Sequence, residues 1–243
     1  MFFNACTVVL YLMTALAPMM TGCSPAAVSG RASDAGQARG AESGATEVNL
    51  TLLVKRFAGD EGPGGREAWE KLSAYPRMEL ISSLTRLRTS APEDDPLRVD
   101  IAFVLCNLDY EYKANRQAVV SAFTNTERPD IGEERLITRL IRKGDEDLLT
   151  VLFSASGRAD GALSEGLADT FAEQVLKDPE TFLRKLKSEP LSTRRKVYEL
   201  LDESVLSEKN LRDVKSYLAS VLRDPSVGAA ADEMLKALNA RRQ

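Results

Sequence analysis

Residues 95–108 read DPLRVDIAFVLCNL, and this stretch contains the signals that decide the fold. Asp95 is a favoured helix N-cap residue. Pro96 is tolerated in a first helical turn because its missing amide would have no partner there. The apolar residues that follow recur at helical spacing and share one face: Leu97, Ile101, Val104, Leu105 and Leu108. The stretch therefore predicts a short helix with one buried side.

The same helix signals recur along the rest of the chain. Asp130 and Glu133 have the spacing of a capping box, and Gly144 is placed to end the helix that follows. Other helices are predicted to start near Asp145, Ala162, Asp178-Pro179, Ser192, Ser207 and Asp224-Pro225, and to span residues 66–75, 78–88 and 115–124. No segment of strand length alternates apolar and polar residues with β-branched enrichment. The sequence predicts an all-α fold of about ten short helices.

Spacing between the Asp-Pro pairs suggests a repeat. The pairs begin at positions 95, 178 and 224, and the intervals of 83 and 46 residues fit two periods and one period of about 40–47 residues. Residues 95–108 and residues 224–238, DPSVGAAADEMLKAL, resemble degenerate HEAT repeats, and the resemblance covers about a quarter of the chain. It implies helix pairs stacked into a solenoid. An irregular helical bundle would carry the same helix signals, so both architectures stay open.

Residues 1–22, MFFNACTVVLYLMTALAPMMTG, contain no charge and have an apolar core that is short for a membrane span. They end in Met20-Thr21-Gly22 before Cys23, which resembles the lipobox of bacterial lipoprotein signal peptides. The resemblance implies cleavage before Cys23 and acylation of that residue with lipid such as palmitate. Two features depart from the pattern: Met20 replaces the usual Leu, and no Lys or Arg precedes the core, which a misplaced start codon would explain. A conventional secretory peptide or an uncleaved anchor is the alternative.

Residues 24–47 consist mainly of Ala, Gly and Ser with a few charges, and they cannot bury enough apolar surface to offset the entropy of ordering. We expect a signal peptide over residues 1–22, acylated Cys23 with a disordered tether over 23–50, and the helical domain over 51–243. The chain would then be exported and anchored to a bacterial membrane. In a host with two membranes, Ser24 favours the outer one by analogy with lipoprotein sorting.

The composition excludes several kinds of chemistry. The 243 residues contain no histidine, which excludes Ser-His-Asp and Cys-His nucleophiles and most zinc and copper sites. The net charge is −4 and basic residues are dispersed among acidic ones, which argues against a nucleic-acid partner. Acidic clusters at 93–95, 133–134 and 145–147 lack the spacing of a Ca²⁺ loop and lie at predicted helix starts, so we expect them to cap helices rather than bind metal. No cofactor is predicted.

Three further motifs have ordinary structural explanations. Cys106 lies on the apolar side of its helix and should be a buried core residue. The glycine-rich residues 59–65 lack the Lys-Ser or Lys-Thr of a phosphate loop and should form a flexible turn. The basic runs at 184–187 and 194–196 could face anionic headgroups, although a solvated helix face is the commoner outcome.

The most distinctive local feature is residues 107–116, NLDYEYKANR, where tyrosines and charges lie between two predicted helices. Tyr and Arg are enriched at protein interfaces, so this stretch is a candidate interaction surface. Its candidate residues are Tyr110, Glu111, Tyr112, Lys113 and Arg116. A hydrogen-bonded turn between helices is the competing interpretation, and we favour it.

These observations favour a non-enzymatic binding or scaffold module of the cell envelope, since stacked helices present a surface to a protein partner. The sequence does not identify that envelope protein. An immunity or inhibitor lipoprotein would be a specialised form of this function. The alternative is a histidine-free hydrolase or lyase that uses paired carboxylates, with Asp109 and Glu111 as candidates.

Overall fold

The computed structural model describes residues 35–125, 130–201 and 206–240, with side chains from residue 47 onward. These residues form α-helices and two single-turn 3-10 helices and contain no strand, which confirms the all-α prediction. The helices are α1 (Ala35–Gly59), α2 (Pro63–Ser73), α3 (Arg77–Ser90), α4 (Leu97–Asn107), α5 (Tyr112–Asn125), α6 (Ile131–Arg142), α7 (Leu149–Ala155), α8 (Gly161–Lys177), α9 (Pro179–Lys187), α10 (Leu191–Leu200), α11 (Glu208–Ser220) and α12 (Gly228–Ala240). The 3-10 turns, Glu146–Leu148 and Ser156–Arg158, flank α7.

Several helices begin at the caps that the sequence predicts. The Asp130 carboxylate accepts a hydrogen bond from the Gly132 amide at 3.1 Å, and Glu133 accepts one from the Asp130 amide at 3.5 Å, which completes the predicted capping box of α6. The Asp178 carboxylate accepts a hydrogen bond from the Thr181 amide at 3.0 Å at the start of α9. These side chains satisfy amides that have no partner within the helix.

Helix α1 starts inside the segment that the sequence assigns to a disordered tether. It begins at Ala35, sixteen residues before residue 51, where the domain was predicted to begin. From residue 50 its inner face is apolar and buried through Leu50, Leu53, Val54, Phe57 and Ala58. A helix held by such packing can extend into alanine-rich sequence, because alanine has the highest helix propensity. Helix therefore replaces the predicted tether from Ala35 onward, whereas the signal peptide and Cys23 lie outside the described residues.

Two aromatic clusters lie in the core. The Phe57 ring stacks on Trp69 with a centroid distance of 4.8 Å and on Phe103 at 5.5 Å, which joins α1, α2 and α4. A second cluster joins α7, α8 and α9 through three fully buried rings at centroid distances of 5.2–6.1 Å: Phe153, Phe171 and Phe182. Burial of side chains of this size dominates core stability.

Helices pack both on the next helix in the chain and on helices two or three positions away. Helix α4 packs on α3 and α5, α6 packs on α5 and α8, and α12 packs on α9, α10 and α11. Cys106 is fully buried in α4, as predicted, and burial raises the pKa of its thiol to about 11. In the described part of the chain, none of the helices has the length and apolar character needed to cross a bilayer.

The glycine-rich residues 59–65 form a closed turn rather than the predicted flexible one. The Asp60 carboxylate accepts hydrogen bonds from the amides of Gly62 at 2.6 Å and Gly65 at 3.1 Å. A Cβ atom at Gly65 would lie 1.7 Å from the Asp60 carbonyl oxygen, so only glycine fits there. Pro63 then begins α2. The glycines thus allow α2 to start directly against the end of α1.

Candidate functional site

Residues 108–111 connect α4 to α5 through a turn with two left-handed residues. Asp109 has a φ of 51° and Glu111 a φ of 41°, and no other residue except glycine has a positive φ in the described part of the chain. This conformation costs about 1–2 kcal/mol for a residue with a Cβ atom. Such a cost persists where the surrounding structure holds the turn in place, and it clusters at functional sites.

The side chain of Asn115, at the start of α5, fixes the conformation of this turn through hydrogen bonds. Its side chain is 1% exposed and its amide donates hydrogen bonds to the carbonyls of Tyr110 at 2.8 Å and Glu111 at 3.4 Å. Its Oδ1 atom accepts a hydrogen bond from Arg88 Nη1 at 2.6 Å. Every polar atom of the buried amide group is therefore satisfied, and the turn between the helices is hydrogen-bonded as the sequence predicts.

The junction between α6 and the 3-10 turn before α7 repeats this geometry. After both α4 and α6, one amide bonds to a carbonyl three residues earlier and the next amide bonds to a carbonyl five residues earlier. This is the Schellman arrangement that ends many helices. Asp109 takes its positive-φ position after α4, and Gly144, with a φ of 115°, takes it after α6. The two turns bring Tyr112 and Asp145 together.

Asp145 joins the two turns through three hydrogen bonds. Its Oδ2 atom accepts from the Tyr112 hydroxyl at 2.7 Å and from Arg116 Nε at 2.5 Å, and its Oδ1 atom accepts from Arg116 Nη2 at 3.2 Å. The Asp145 side chain is 13% exposed and that of Arg116 is 25% exposed, so the ion pair is largely shielded from water. The predicted cap role of Asp145 is wrong, because its carboxylate binds these two side chains and caps no amide.

Lys143 closes the other side of the junction. Its ammonium group donates to the carbonyls of Cys106 at 3.0 Å and Asn107 at 3.3 Å, and to the Asp109 carboxylate at 2.8 Å. The last carbonyls of a helix lack partners within the helix, and the C-terminal end of the dipole favours a cation. Lys143 thus ties α6 to the end of α4.

An open cleft of about 660 Å³ lies between the two turns. Its lining residues are Asp109, Tyr112, Lys113, Arg116, Gln117, Lys143, Gly144, Asp145 and Asp147. Tyr112, Lys113 and Arg116 of the predicted interaction surface meet in this cleft. Tyr110 instead lines a separate groove along α3, and Glu111 is exposed. The structure therefore contains both the predicted turn and a cleft beside it.

The polar groups of the cleft differ in how firmly they are held. Burial and the hydrogen bond to Asp145 raise the pKa of the Tyr112 hydroxyl, which keeps it a neutral donor rather than a nucleophile. The hydrogen bond to Asp145 raises the pKa of Arg116. The Lys113 ammonium is exposed and makes no ion pair within the described residues. Lys113 is therefore available to a ligand, whereas the other polar groups are held in place.

The carboxylates proposed for a hydrolase do not lie in a desolvated site. The Asp109 side chain is 70% exposed and paired with Lys143, and Glu111 is exposed. A catalytic acid of the glycosidase type needs an apolar environment that keeps it protonated. In the described ranges, no three His, Cys, Asp or Glu side chains form a group that could hold a metal ion.

Residues of the two basic runs, in α9 and α10, form ion pairs and hydrogen bonds within the domain. Lys185 pairs with Asp147, and Arg194 pairs with Glu233 at 3.0 Å. Lys187 donates hydrogen bonds to the carbonyls at positions 225 and 226. These contacts favour the structural interpretation of the basic runs over binding to headgroups.

Sequence reasoning missed Lys143, Gln117 and the role of Asp145 in the cleft. The partners of Lys143 and Asp145 lie 29–37 residues away in the chain, and the local pattern contains no trace of such contacts. Gln117 bonds to Ser121 within its own helix, and only the packing of the helices places it at the cleft. No protein family, curated protein or solved structure matches this chain.

Proposed function

We propose that the chain is an exported lipoprotein whose helical domain binds a protein of the cell envelope. The proposed binding site is the cleft between the α4–α5 turn and the α6–α7 turn. Cys23, within its lipobox-like sequence, supplies the membrane anchor in this proposal, and the stacked helices act as a scaffold that carries the cleft. No enzymatic step is assigned to the domain.

The main support for the proposal is the left-handed backbone conformation of the turn at the rim of the cleft. Asp109 and Glu111 both adopt left-handed conformations that glycine would adopt at lower cost, and both keep side chains there. The Asp109 carboxylate pairs with Lys143 within the domain, whereas the Glu111 side chain is exposed and makes no ion pair among the described residues, so the connection between the helices does not require it. A turn that presents a side chain to a partner does need it.

The chemistry of the cleft supports a protein ligand. Tyr and Arg, the residue types of Tyr112 and Arg116, are enriched among residues that contribute most to protein interfaces. Asp145 already fixes both side chains, so binding would order few further groups and would lose little conformational entropy. Lys113, exposed and free of ion pairs among the described residues, can pair with a carboxylate of the partner.

A photo-crosslinking experiment in the native host tests the binding site. A photoreactive amino acid replaces Lys113 in one strain and Lys209, an exposed residue of α11 whose side chain is 80% exposed, in a matched control strain. We expect one envelope protein to be crosslinked from position 113 and not from 209, and the additional substitution Arg116→Ala to reduce that product. Identical products from both positions, or none from position 113, would contradict the proposed site.

The anchor is tested separately. Mass spectrometry of the protein from host membranes should find Cys23 as an acylated N-terminal residue, and globomycin should cause the uncleaved precursor to accumulate. The Cys23→Ser variant should show neither acylation nor sensitivity to globomycin. Recovery of an unacylated chain that begins at Met1 would refute the anchor.

A further inference from the structure

A groove of about 620 Å³ lies beside the cleft, where α2 faces the ends of α4 and α6. The residues that define this Trp69 groove are Arg66, Trp69, Asn107, Arg139 and Lys143. Lys143 also lines the cleft. Its Nζ atom donates to the Asp109 carboxylate in the cleft at 2.8 Å and to the Asn107 carbonyl in the groove at 3.3 Å. The two concave surfaces therefore adjoin at Lys143 and can hold one extended ligand.

Trp69 is the single tryptophan of the chain, and its indole is only partly buried. Phe57 stacks on one side of it at a centroid distance of 4.8 Å, which fixes the orientation of the indole in the groove. The indole N–H has no acceptor among the described residues. A buried tryptophan usually has a partner for this group, whereas a partly exposed one at an interface is often a main contributor to binding. Trp69 thus offers both an aromatic surface and a free donor.

Arg139 contacts the same Phe57 ring, at 4.5 Å from its centroid, and adds a positive charge to the groove. Its Nη1 atom donates to the carbonyls of Phe57 and Ala58, but its Nε and Nη2 atoms donate to no group of the described residues. Burial is the main cause that lowers the pKa of the guanidinium. A partly desolvated cation with unused donors gains most from a carboxylate.

Carboxylates that line the groove leave this cation without an ion pair. Glu61 accepts a hydrogen bond from Arg142 Nη1 at 2.6 Å, and Asp60 accepts bonds from two backbone amides of its own turn. Glu70 is exposed and makes no ion pair among the described residues. Arg66, one turn earlier on α2, is likewise exposed without an ion pair in the described part of the chain.

Cations without a carboxylate partner therefore outnumber free carboxylates along the combined surface. Three such cations line it: Arg66 and Arg139 in the groove and Lys113 in the cleft. Glu70 is the single lining acid, among the described residues, with neither an ion pair nor a side-chain hydrogen bond. The whole chain has a net charge of −4, so this stretch of surface differs from the rest in favouring an anionic ligand.

We propose that the Trp69 groove binds an acidic segment of the partner protein that occupies the cleft, with carboxylates of the segment on Arg66 and Arg139 and an aromatic side chain on Trp69. The inference rests on the proposed function, because the segment continues the part of the partner bound in the cleft. Guanidinium groups bind carboxylates through paired hydrogen bonds, and aromatic side chains stack on indole. Both kinds of contact are unused in the described part of the domain.

Fluorescence of the single tryptophan tests the chemistry of the groove in the full-length chain. The protein is titrated with acetyl-Glu-Phe-Glu-Phe-Glu-amide and, in parallel, with the uncharged analogue acetyl-Gln-Phe-Gln-Phe-Gln-amide. We expect the acidic peptide to shift the emission of Trp69 to shorter wavelength, and the glutamine peptide to need a concentration at least about fivefold higher for the same shift. No shift with the acidic peptide, or equal shifts with both peptides, would overturn the inference.

Substitution of one arginine assigns the binding to the groove. Arg66→Gln should raise the peptide concentration at half-maximal shift at least about threefold. Arg223→Gln is the matched control, because Arg223 is also exposed but lies beyond α11, and it should behave like the wild type. Circular dichroism checks that both variants are folded. Equal titrations of the two variants would show that the peptide does not bind at the groove.

Crosslinking in the native host separates this inference from the proposed function. A photoreactive amino acid at position 66 should capture the same envelope protein as one at position 113. A product from position 113 alone would refute the groove and leave the cleft intact as the binding site. A product from position 66 alone would contradict the cleft and still support the groove. Absence of a product from both positions would overturn both.

Discussion

At Glu111 the backbone has a φ of 41°, a conformation that any residue with a Cβ atom adopts at a cost in free energy. The side chain is exposed and makes no ion pair among the described residues, so it contributes little to the stability of the isolated domain. Substitution can therefore separate the free-energy cost of the backbone conformation from the contribution of the side chain to stability.

We predict that Glu111→Gly raises the free energy of unfolding by about 0.5–1 kcal/mol, because glycine adopts a positive φ without steric cost. Glu111→Ala is the matched control, since it also removes the carboxylate but keeps the Cβ atom, and it should not stabilise. Urea unfolding followed by circular dichroism measures both variants. Equal stability of the Gly and Ala variants would mean that the turn stores no strain.

Glu134 of α6 is a buried carboxyl that makes no ion pair within the described part of the chain. It is 2% exposed, and its Oε1 atom accepts hydrogen bonds from the hydroxyls of Thr138 at 2.6 Å and Thr170 at 3.1 Å. Burial raises its pKa, the two hydroxyl hydrogen bonds lower it in part, Glu61 raises it further and Arg135 lowers it. The protonated form is therefore favoured more in the folded than in the unfolded protein.

This shift predicts a specific dependence of stability on pH. A carboxyl with a raised pKa in the folded state contributes stability that is complete below its pKa in the unfolded state and is lost as the pH rises through its folded pKa. Glu134→Gln cannot ionise, so its stability should fall less than that of the wild type as the pH rises from about 4.5. Urea unfolding at a series of pH values measures both slopes. Parallel curves would show that Glu134 does not titrate differently on folding.

At the scale of the helix, the contact between α1 and the body of the domain depends on Arg139 of α6. Its Nη1 atom donates hydrogen bonds to the carbonyls of Phe57 at 2.6 Å and Ala58 at 3.0 Å. Its guanidinium carbon lies 4.5 Å from the ring centroids of both Phe57 and Phe103. The planar cation thus caps α1 and contacts both aromatic rings.

We predict that Arg139→Lys lowers the stability of the domain by about 1–2 kcal/mol, since lysine keeps the charge but loses the planar stacking and the forked donor. Amide hydrogen exchange should show the loss of protection mainly in residues 50–59, with α8 largely unaffected. Arg135→Lys is the control, because Arg135 lies exposed on the same helix. A uniform loss of protection across all helices would contradict a local role for Arg139.

Local signals in the sequence predicted elements well and contacts between elements poorly. The capping box of Asp130 and Glu133 depends on residues three apart, and the structure contains it. Asp145 occupies an equally good cap position, yet its carboxylate binds Tyr112 and Arg116, because a cation and a phenol that are close in space outcompete exposed amides. Helix propensity and caps are properties of neighbours in sequence, whereas the candidate site depends on neighbours in space.

On the scale of the whole molecule, the two aromatic clusters are formed by different parts of the chain. Phe57, Trp69 and Phe103 join α1, α2 and α4, whereas the other three rings join α7, α8 and α9. In a solenoid, each layer is stabilised mainly by the next layer, so the loss of one cluster weakens the other only through the helices between them. A bundle with one shared core would lose both clusters together.

Phe171→Ala distinguishes these two architectures, because it removes one of the three rings of the second cluster and should cost about 3–5 kcal/mol. Trp69 is the single tryptophan of the chain, and its fluorescence reports on the first cluster alone. We expect the urea midpoint measured by circular dichroism to fall more than the midpoint measured by Trp69 fluorescence, because the two clusters share no helix. Phe103→Ala, which removes a ring of the first cluster, should reverse the order of the two midpoints. Coincident transitions in both variants would assign the protein to a single cooperative bundle and exclude independent layers.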